Sequence, residues 1–320
     1  MIGPVLITGG LGFIGQAVTR SLRADGVAVR ILDNGSNSSI TAEQARALGA
    51  EVVMGDVTDR EACRAAAGGA RAILHLAAQT YVIRSLQDPH FDLDVNGRGT
   101  LNLLEAARLE SAGTFVFAST NAVAGIAAPP FSEDAALHPL SPYGCTKLLG
   151  EVYCAAYASC HGLRSVSLRF SNVFGPGSWR KGSVVATFIR RALMNEPVTV
   201  DGDGGQTRDF LFIDDLVAAI RLTLHESPAG EVFCIGSGRA TTITELVASL
   251  DRRYRAWSGR PLAIRHGPPR MGDIRDNWSD VSKAARLLGY QPQADLDQAL
   301  EQTFDWFIRE WLPQRQRGEI

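Results

Sequence analysis

Tyr143 and Lys147 stand four residues apart in Ser141-Pro142-Tyr143-Gly144-Cys145-Thr146-Lys147. On a helix that spacing puts both side chains on one face, about one turn apart. A free phenol titrates near pH ~10, and positive charge beside it lowers that value. A tyrosine so placed can take a proton from a substrate hydroxyl at neutral pH. Thr120 ends the run Phe115-Val116-Phe117-Ala118-Ser119-Thr120 and could hydrogen-bond the same hydroxyl, aligning it. Exposed helices carry Tyr-x-x-x-Lys by chance, so the pair acquires meaning only from the elements that position it.

Those elements begin at residue 5. Val5-Leu6-Ile7 reads as a buried parallel strand ending at Thr8, followed by Gly9-Gly10-Leu11-Gly12-Phe13-Ile14-Gly15 and a helix over 16–24. A second strand, 27–32, ends at Asp33, which lies 18 residues past Gly15. Glycines at such a turn let a pyrophosphate approach the N–H groups of a helix N-terminus, where the helix dipole favours anions. A carboxylate at the tip of the second strand accepts hydrogen bonds from a ribose 2′-hydroxyl and repels a 2′-phosphate, favouring NAD over NADP. Strand, glycine turn, helix, strand and acid in that order predict an NAD site.

The pattern repeats. Strands are expected at 51–57, 72–78 and 114–118, with helices at 60–67, 95–109 and 143–160. Asp56 ends the first of these strands, placed to contact an adenine edge or only to cap the next turn. The alternation predicts an α/β protein with a Rossmann-type, doubly wound parallel sheet. Its site should lie at the strands' C-terminal ends, where Gly10, Asp33, Asp56, Ala77 and Ser119 all fall.

Composition narrows the class further. The chain has 320 residues, 45% hydrophobic and 21% charged, and a net charge of −2. That is enough for one large or two interleaved domains and offers no basic footprint for nucleic acid or for a membrane surface. No apolar run approaches the ~18 residues a membrane helix needs, and residues 1–4 show no basic leader. Five widely spaced cysteines argue against a disulfide framework, and six scattered histidines without ligand spacing argue against a metal site. A cytoplasmic protein is expected.

With His75-Leu76-Ala77-Ala78-Gln79, Asn96 and Gly99-Thr100 added to the glycine turn and to Tyr143-x-x-x-Lys147, the sequence resembles the extended short-chain dehydrogenase/reductase family. Its branch is that of NAD-dependent nucleotide-sugar epimerases and dehydratases. The resemblance continues through Leu168-Arg169-Phe170-Ser171-Asn172-Val173-Phe174-Gly175-Pro176, Gly202 to Phe210, Asp214-Asp215 and Arg270-Met271-Gly272-Asp273. It implies Thr120, Tyr143 and Lys147 as catalytic residues. It implies tightly bound NAD+, regenerated each turnover and contacted by Gly9, Gly12, Phe13, Ile14, Gly15, Asp33, Asn34, Asp56, Val57, Leu76, Ala77, Ala78, Asn96 and Lys147. Asn172, Arg208 and Arg270 match the family positions that hold the substrate diphosphate, a task suited to the fork of arginine, and Asn121 and Asn277 are expected to contact the substrate as well. UDP is the default nucleotide, and a homodimer through helices 95–109 and 143–160 is the expected assembly.

Three departures shape the expected reaction. Where 4,6-dehydratases carry Asp-Glu after the threonine, this chain has Asn121-Ala122, which favours a 4-epimerase of a UDP-hexose or UDP-N-acetylhexosamine. Val123-Ala124-Gly125 replaces the family's Val-Tyr-Gly, so open space is expected beside the site. Asn277 aligns with the position that gates N-acetyl sugars, and its size suits UDP-GlcNAc. The first two departures also leave a UDP-GlcNAc-type dehydratase as an alternative, by 5,6-elimination as in tunicamycin-type biosynthesis or by 4,6-elimination, with Cys145 or Tyr81 as the group acting at C5. An NAD-sensing regulator without turnover is disfavoured by the retained Tyr and Lys, and a keto-sugar reductase by Asp33. The NAD-binding domain is expected over 1–172 plus 208–235, and the nucleotide-sugar-binding domain over 173–207 plus 236–320.

Overall fold

A computed structural model describes residues 3–225, 227–269 and 274–319. The chain begins β1 (Val5–Thr8), α1 (Phe13–Ala24), β2 (Val29–Asp33), α2 (Ala42–Ala47), β3 (Glu51–Met54), α3 (Arg60–Ala67) and β4 (Ala72–His75). Two short helices follow, α4 (Val82–Gln87) and α5 (Pro89–Asp92), then a wide turn over Leu93–Arg98 that runs into α6 (Gly99–Leu109). β5 (Thr114–Thr120), α7 (Pro142–His161) and β6 (Ser165–Phe170) complete the first half. Later strands are β7 (Asn172–Phe174), β8 (Val198–Asp201), β9 (Thr207–Arg208), β10 (Phe210–Phe212), β11 (Val232–Ile235), β12 (Thr241–Thr242) and β13 (Ile264–Gly267).

Seven strands form one sheet in the order β11-β6-β5-β4-β1-β2-β3, and every pair is parallel. This is the expected Rossmann-type arrangement, and the strand order reverses between β1 and β4, where ligands bind in such sheets. Successive residues in a strand face opposite sides. Val5, Ile7, Leu74 and Val116 accordingly pack in one core with α1, while Leu6, Ile73, Phe115 and Phe117 pack in another with Leu103, Leu104 and Tyr157. The first core runs on through Phe188, Leu246 and Phe304, joining the later part of the chain to the sheet. Three small two-stranded sheets, β7 with β10, β9 with β12 and β8 with β13, stand outside the seven strands.

Two element ends differ from the sequence pattern in ways that matter. α1 starts at Phe13, because Gly12 already occupies the capping position. β5 continues to Thr120 and so delivers that residue to the sheet's C-terminal edge. α7 starts where Ser141 accepts a hydrogen bond from the Gly144 amide at 3.1 Å and Pro142 occupies the first turn, where its missing N–H costs nothing.

Candidate active site

The glycine turn is sterically fixed. Gly9 has φ +67°, and a Cβ there would lie 2.8 Å from the Ala77 nitrogen; a Cβ on Gly15 would lie 2.5 Å from the Gly10 Cα. The turn is thereby pressed against the end of β4. No side chain caps α1 and no acid stands in its first turn, so its amides face the strand ends as anion donors. Asp33 clamps the turn from β2, accepting from the Leu11 amide at 2.9 Å and the Gly35 amide at 2.8 Å. Burial pushes its carboxyl above the ordinary value, and those hydrogen bonds with that of Ser38 pull it back. Asn34 donates to Asp56 at 2.7 Å, joining the tips of β2 and β3. The Val57 carbonyl accepts from Asn102 at 3.0 Å. Leu76 and Ala77 donate their amides to the Thr8 carbonyl and hydroxyl, each at 3.2 Å. Ala78 follows directly, and Asn96 is buried beneath this edge. A glycine turn with no room for a Cβ at Gly9 or Gly15, an uncapped helix start and an acid at its rim fit a dinucleotide.

His75 sits under the turn, 2.8 Å from the Thr8 hydroxyl and 3.1 Å from that of Thr100, which itself donates to the Asn96 carbonyl. That chain makes Nε2 the protonated nitrogen. Burial, with Lys147 nearby, pushes the ring down to about 3, so it stays neutral.

Thr120, Tyr143 and Lys147 are brought together. Thr120 ends β5 close enough to Tyr143 for its hydroxyl to pull the phenol's value down. Lys147 is buried, donates to the Ala118 carbonyl at 2.9 Å and lies 4.9 Å from the centre of the Phe117 ring. The expected acidification of the phenol is not a property of the protein alone. Burial pushes Tyr143 up to about 12, with Asp92 adding to the rise, and pushes Lys147 down to about 8. Desolvation disfavours both charged forms, and the lysine by itself does not overcome it.

The residues after Thr120 do not present an acid–base pair. Asn121 is buried and donates to Ser171 at 2.9 Å and Ser279 at 3.0 Å. The open space expected at Ala124 is absent: Ala124 is 1% exposed, packed with Phe131 and Cys234 and flanked by Ala127, Ala135 and Leu137. The following loop folds back and fills the volume. Cys145 is exposed between the buried Gly144 and Thr146, because two residues along a helix is about 200° from Tyr143. It therefore lies off the Tyr143–Lys147 face. The Tyr81 hydroxyl donates to the Arg180 carbonyl at 2.9 Å.

On the substrate side, Asn172 opens β7 and donates its amide to the Asp209 carbonyl at 2.9 Å. Arg208 donates to the carbonyls of Thr207 at 2.6 Å and Ile274 at 2.8 Å. Asn277 holds a buried side-chain oxygen with no partner among the described residues. Arg270 lies outside the described residues.

Two buried features escaped the sequence pattern. Glu151, one turn beyond Lys147, pairs with Arg169 at 2.8 Å with both side chains under 5% exposed, and Ser119 donates to the same carboxylate. The i, i+4 spacing from Lys147 was a usable signal for Glu151. Asp92 is fully buried beneath α7, where no local spacing points to it.

A dinucleotide cradle and a Tyr–Lys pair sharing one edge of a parallel sheet place this enzyme in the extended short-chain dehydrogenase/reductase class. The model of the NAD dependent epimerase/dehydratase family matches residues 5–236. The chain is 35% identical over 311 residues to a UDP-glucose 4-epimerase of Mycolicibacterium smegmatis, covering 94% of this chain and 97% of that protein. It is 32% identical over 314 residues to a dTDP-glucose 4,6-dehydratase of Streptomyces niveus, covering 95% and 92%. The crystal structure of a Thermotoga maritima UDP-glucose 4-epimerase with UDP-glucose superposes with a TM-score of 0.88 at 33% identity, covering 96% of this chain and 99% of that one. The chain belongs to the NAD-dependent epimerase/dehydratase family, and NAD is its cofactor.

Proposed function

We propose that the protein is a UDP-sugar 4-epimerase acting through transient oxidation at C4, with UDP-GlcNAc as the preferred substrate. The observation that carries this reading is Asn121, turned into a serine network where a dehydratase needs an acid–base pair. Tyr143 takes the proton of the sugar 4-hydroxyl and later returns it. Thr120 holds that hydroxyl in line, and the Lys147 ammonium favours the phenolate. Gly9, Gly12, Phe13, Ile14 and Gly15 would hold the pyrophosphate of NAD+, and Asp33 and Asn34 its adenosine ribose. Once bound, the cofactor would supply a reversible hydride acceptor for C4 and a positive charge that opposes the desolvation of the phenol.

Asn172, Arg208 and Arg270 are assigned to the diphosphate. The unpartnered oxygen of Asn277 supports the acetamido preference, since an N-acetyl N–H would satisfy it. The nucleotide-sugar domain comprises 173–207 and 236–320. A dimer through α6 and α7 is supported by Val152 and Leu109, which are 59% and 41% exposed on those helices. Light scattering of the eluted holoenzyme tests it. Five free cysteines suit a cytoplasmic enzyme.

A dehydratase is the second reading, favoured by relatives of that name at similar identity. Incubation of the purified protein with UDP-GlcNAc, followed by NMR and mass spectrometry, separates them. An isomer of unchanged mass supports the epimerase; loss of one water supports the dehydratase.

A further inference from the structure

The mechanism so far uses no acid, yet a buried carboxylate lies directly behind the Tyr143–Lys147 turn. Asp92 ends α5 and is fully buried. One oxygen accepts from the Thr146 hydroxyl at 2.6 Å. The other accepts from the Gln79 amide nitrogen at 2.7 Å and that of Asn96 at 3.2 Å. All three donors are neutral, and among the described residues no arginine or lysine forms an ion pair with it. Thr146 stands between Tyr143 and Lys147 and also contacts the Tyr143 carbonyl at 3.1 Å.

A buried carboxylate held by neutral donors must find its charge balance elsewhere. The charges facing Lys147 can be named element by element. On α7 they are Glu151 and the neutral Cys154; on α5, Asp92; on β4, the neutral His75; and Glu151 in turn meets Arg169 on β6. Glu151 is neutralised by Arg169, which leaves Asp92 as the unneutralised acid.

We propose that Asp92 is a positioning residue for the epimerase reaction: its bond to Thr146 sets the turn that carries both Tyr143 and Lys147, and its buried carboxylate balances the Lys147 ammonium. This rests on the Tyr143–Lys147 chemistry proposed above. The burial that drives Lys147 toward neutrality is opposed first by Asp92. Asp92 also weighs directly against the phenolate, so its benefit runs through Lys147, which without it would lose its proton within the working pH range.

The test compares kcat–pH profiles of the wild type, Asp92→Asn and Thr146→Val holoenzymes. Asparagine keeps the shape, and its amide can donate to Thr146, whose hydroxyl then turns to the Tyr143 carbonyl. In Asp92→Asn the high-pH limb, set by Lys147 near 8, should move down by about one pH unit. Activity at pH 6.5 should stay within about threefold of wild type and the deficit at pH 8.5 should reach about tenfold. Thr146→Val keeps the charge and should lower kcat at every pH without moving the limb. A uniform loss with an unmoved limb in Asp92→Asn would reduce Asp92 to a packing role and overturn the proposal. An independent arm follows Lys147 by NMR in holoenzyme labelled with 13C at lysine Cε. Its titration should move down in Asp92→Asn even if UDP-sugars prove not to be substrates, whereas an unchanged titration overturns the proposal whatever the substrate.

Discussion

Two buried charge sites lie one turn apart on α7 and behave oppositely. Glu151 and Arg169 meet directly, with three Arg169 N–H contacts to the carboxylate between 2.8 and 3.3 Å. Their charges cancel where they stand, and hydrogen bonding to Glu151 holds the arginine firmly protonated against burial. Lys147 and Asp92 do not meet; the lysine reaches only a carbonyl and the acid only neutral donors. The first site is satisfied and structural. The second leaves a buried cation one helical turn from Tyr143, which is what the proposed general base, with its raised value, requires. Satisfaction of buried charge thus separates scaffold from chemistry better than burial does.

Substitutions can break or sharpen that contrast. Tyr143→Phe should retain NAD and fold normally while losing about 10²–10⁴-fold in turnover, measured with UDP-GlcNAc. Near-normal turnover would remove Tyr143 from the chemistry. Arg169→Met strands Glu151 without its partner and should cost about 3–5 kcal/mol in denaturant unfolding, chiefly through the fold. Lys147→Met should instead abolish turnover, and its stability relative to wild type should fall as pH rises between the values of the folded and the free lysine. The sign follows from a folded value near 8 against an ordinary 10.5. Between those two values the unfolded chain binds the proton more tightly, so wild-type stability rises with pH across the window. The variant should therefore lose ground to wild type from pH 8 upward and level off above 10.5. Cys145→Ser, on the exposed face of the same helix, should change activity less than about twofold and stability by under about 0.5 kcal/mol. A large loss there would revive a role for that thiol.

The cofactor half was legible because its constraints are local and steric. Glycine spacing, one acid at a strand tip and the alternation of strand and helix all act over a few residues. The Tyr143–Lys147 pair was legible for the same reason. Asp92 was not, since its partners Gln79, Asn96 and Thr146 come from segments up to 54 residues away. Ala124 misled because a lost ring predicts a gap only if the chain around it stays still; Phe131 moves in instead. The high value of Tyr143 was hidden as well, for desolvation depends on what packs over a residue and not on its neighbours in sequence. Residues 208 and 277 show the same limit, because the Ile274 carbonyl that Arg208 holds and the enclosure of Asn277 arise only in the folded chain.

The central claim is oxidation and return at one carbon. It is tested most directly by incubating the enzyme with UDP-GlcNAc carrying deuterium at C4 and following the label by NMR. The product should be the 4-epimer with deuterium still on C4 and no loss of mass. Deuterium appearing at another carbon with loss of water, or unreacted sugar in the presence of bound NAD+, would contradict it.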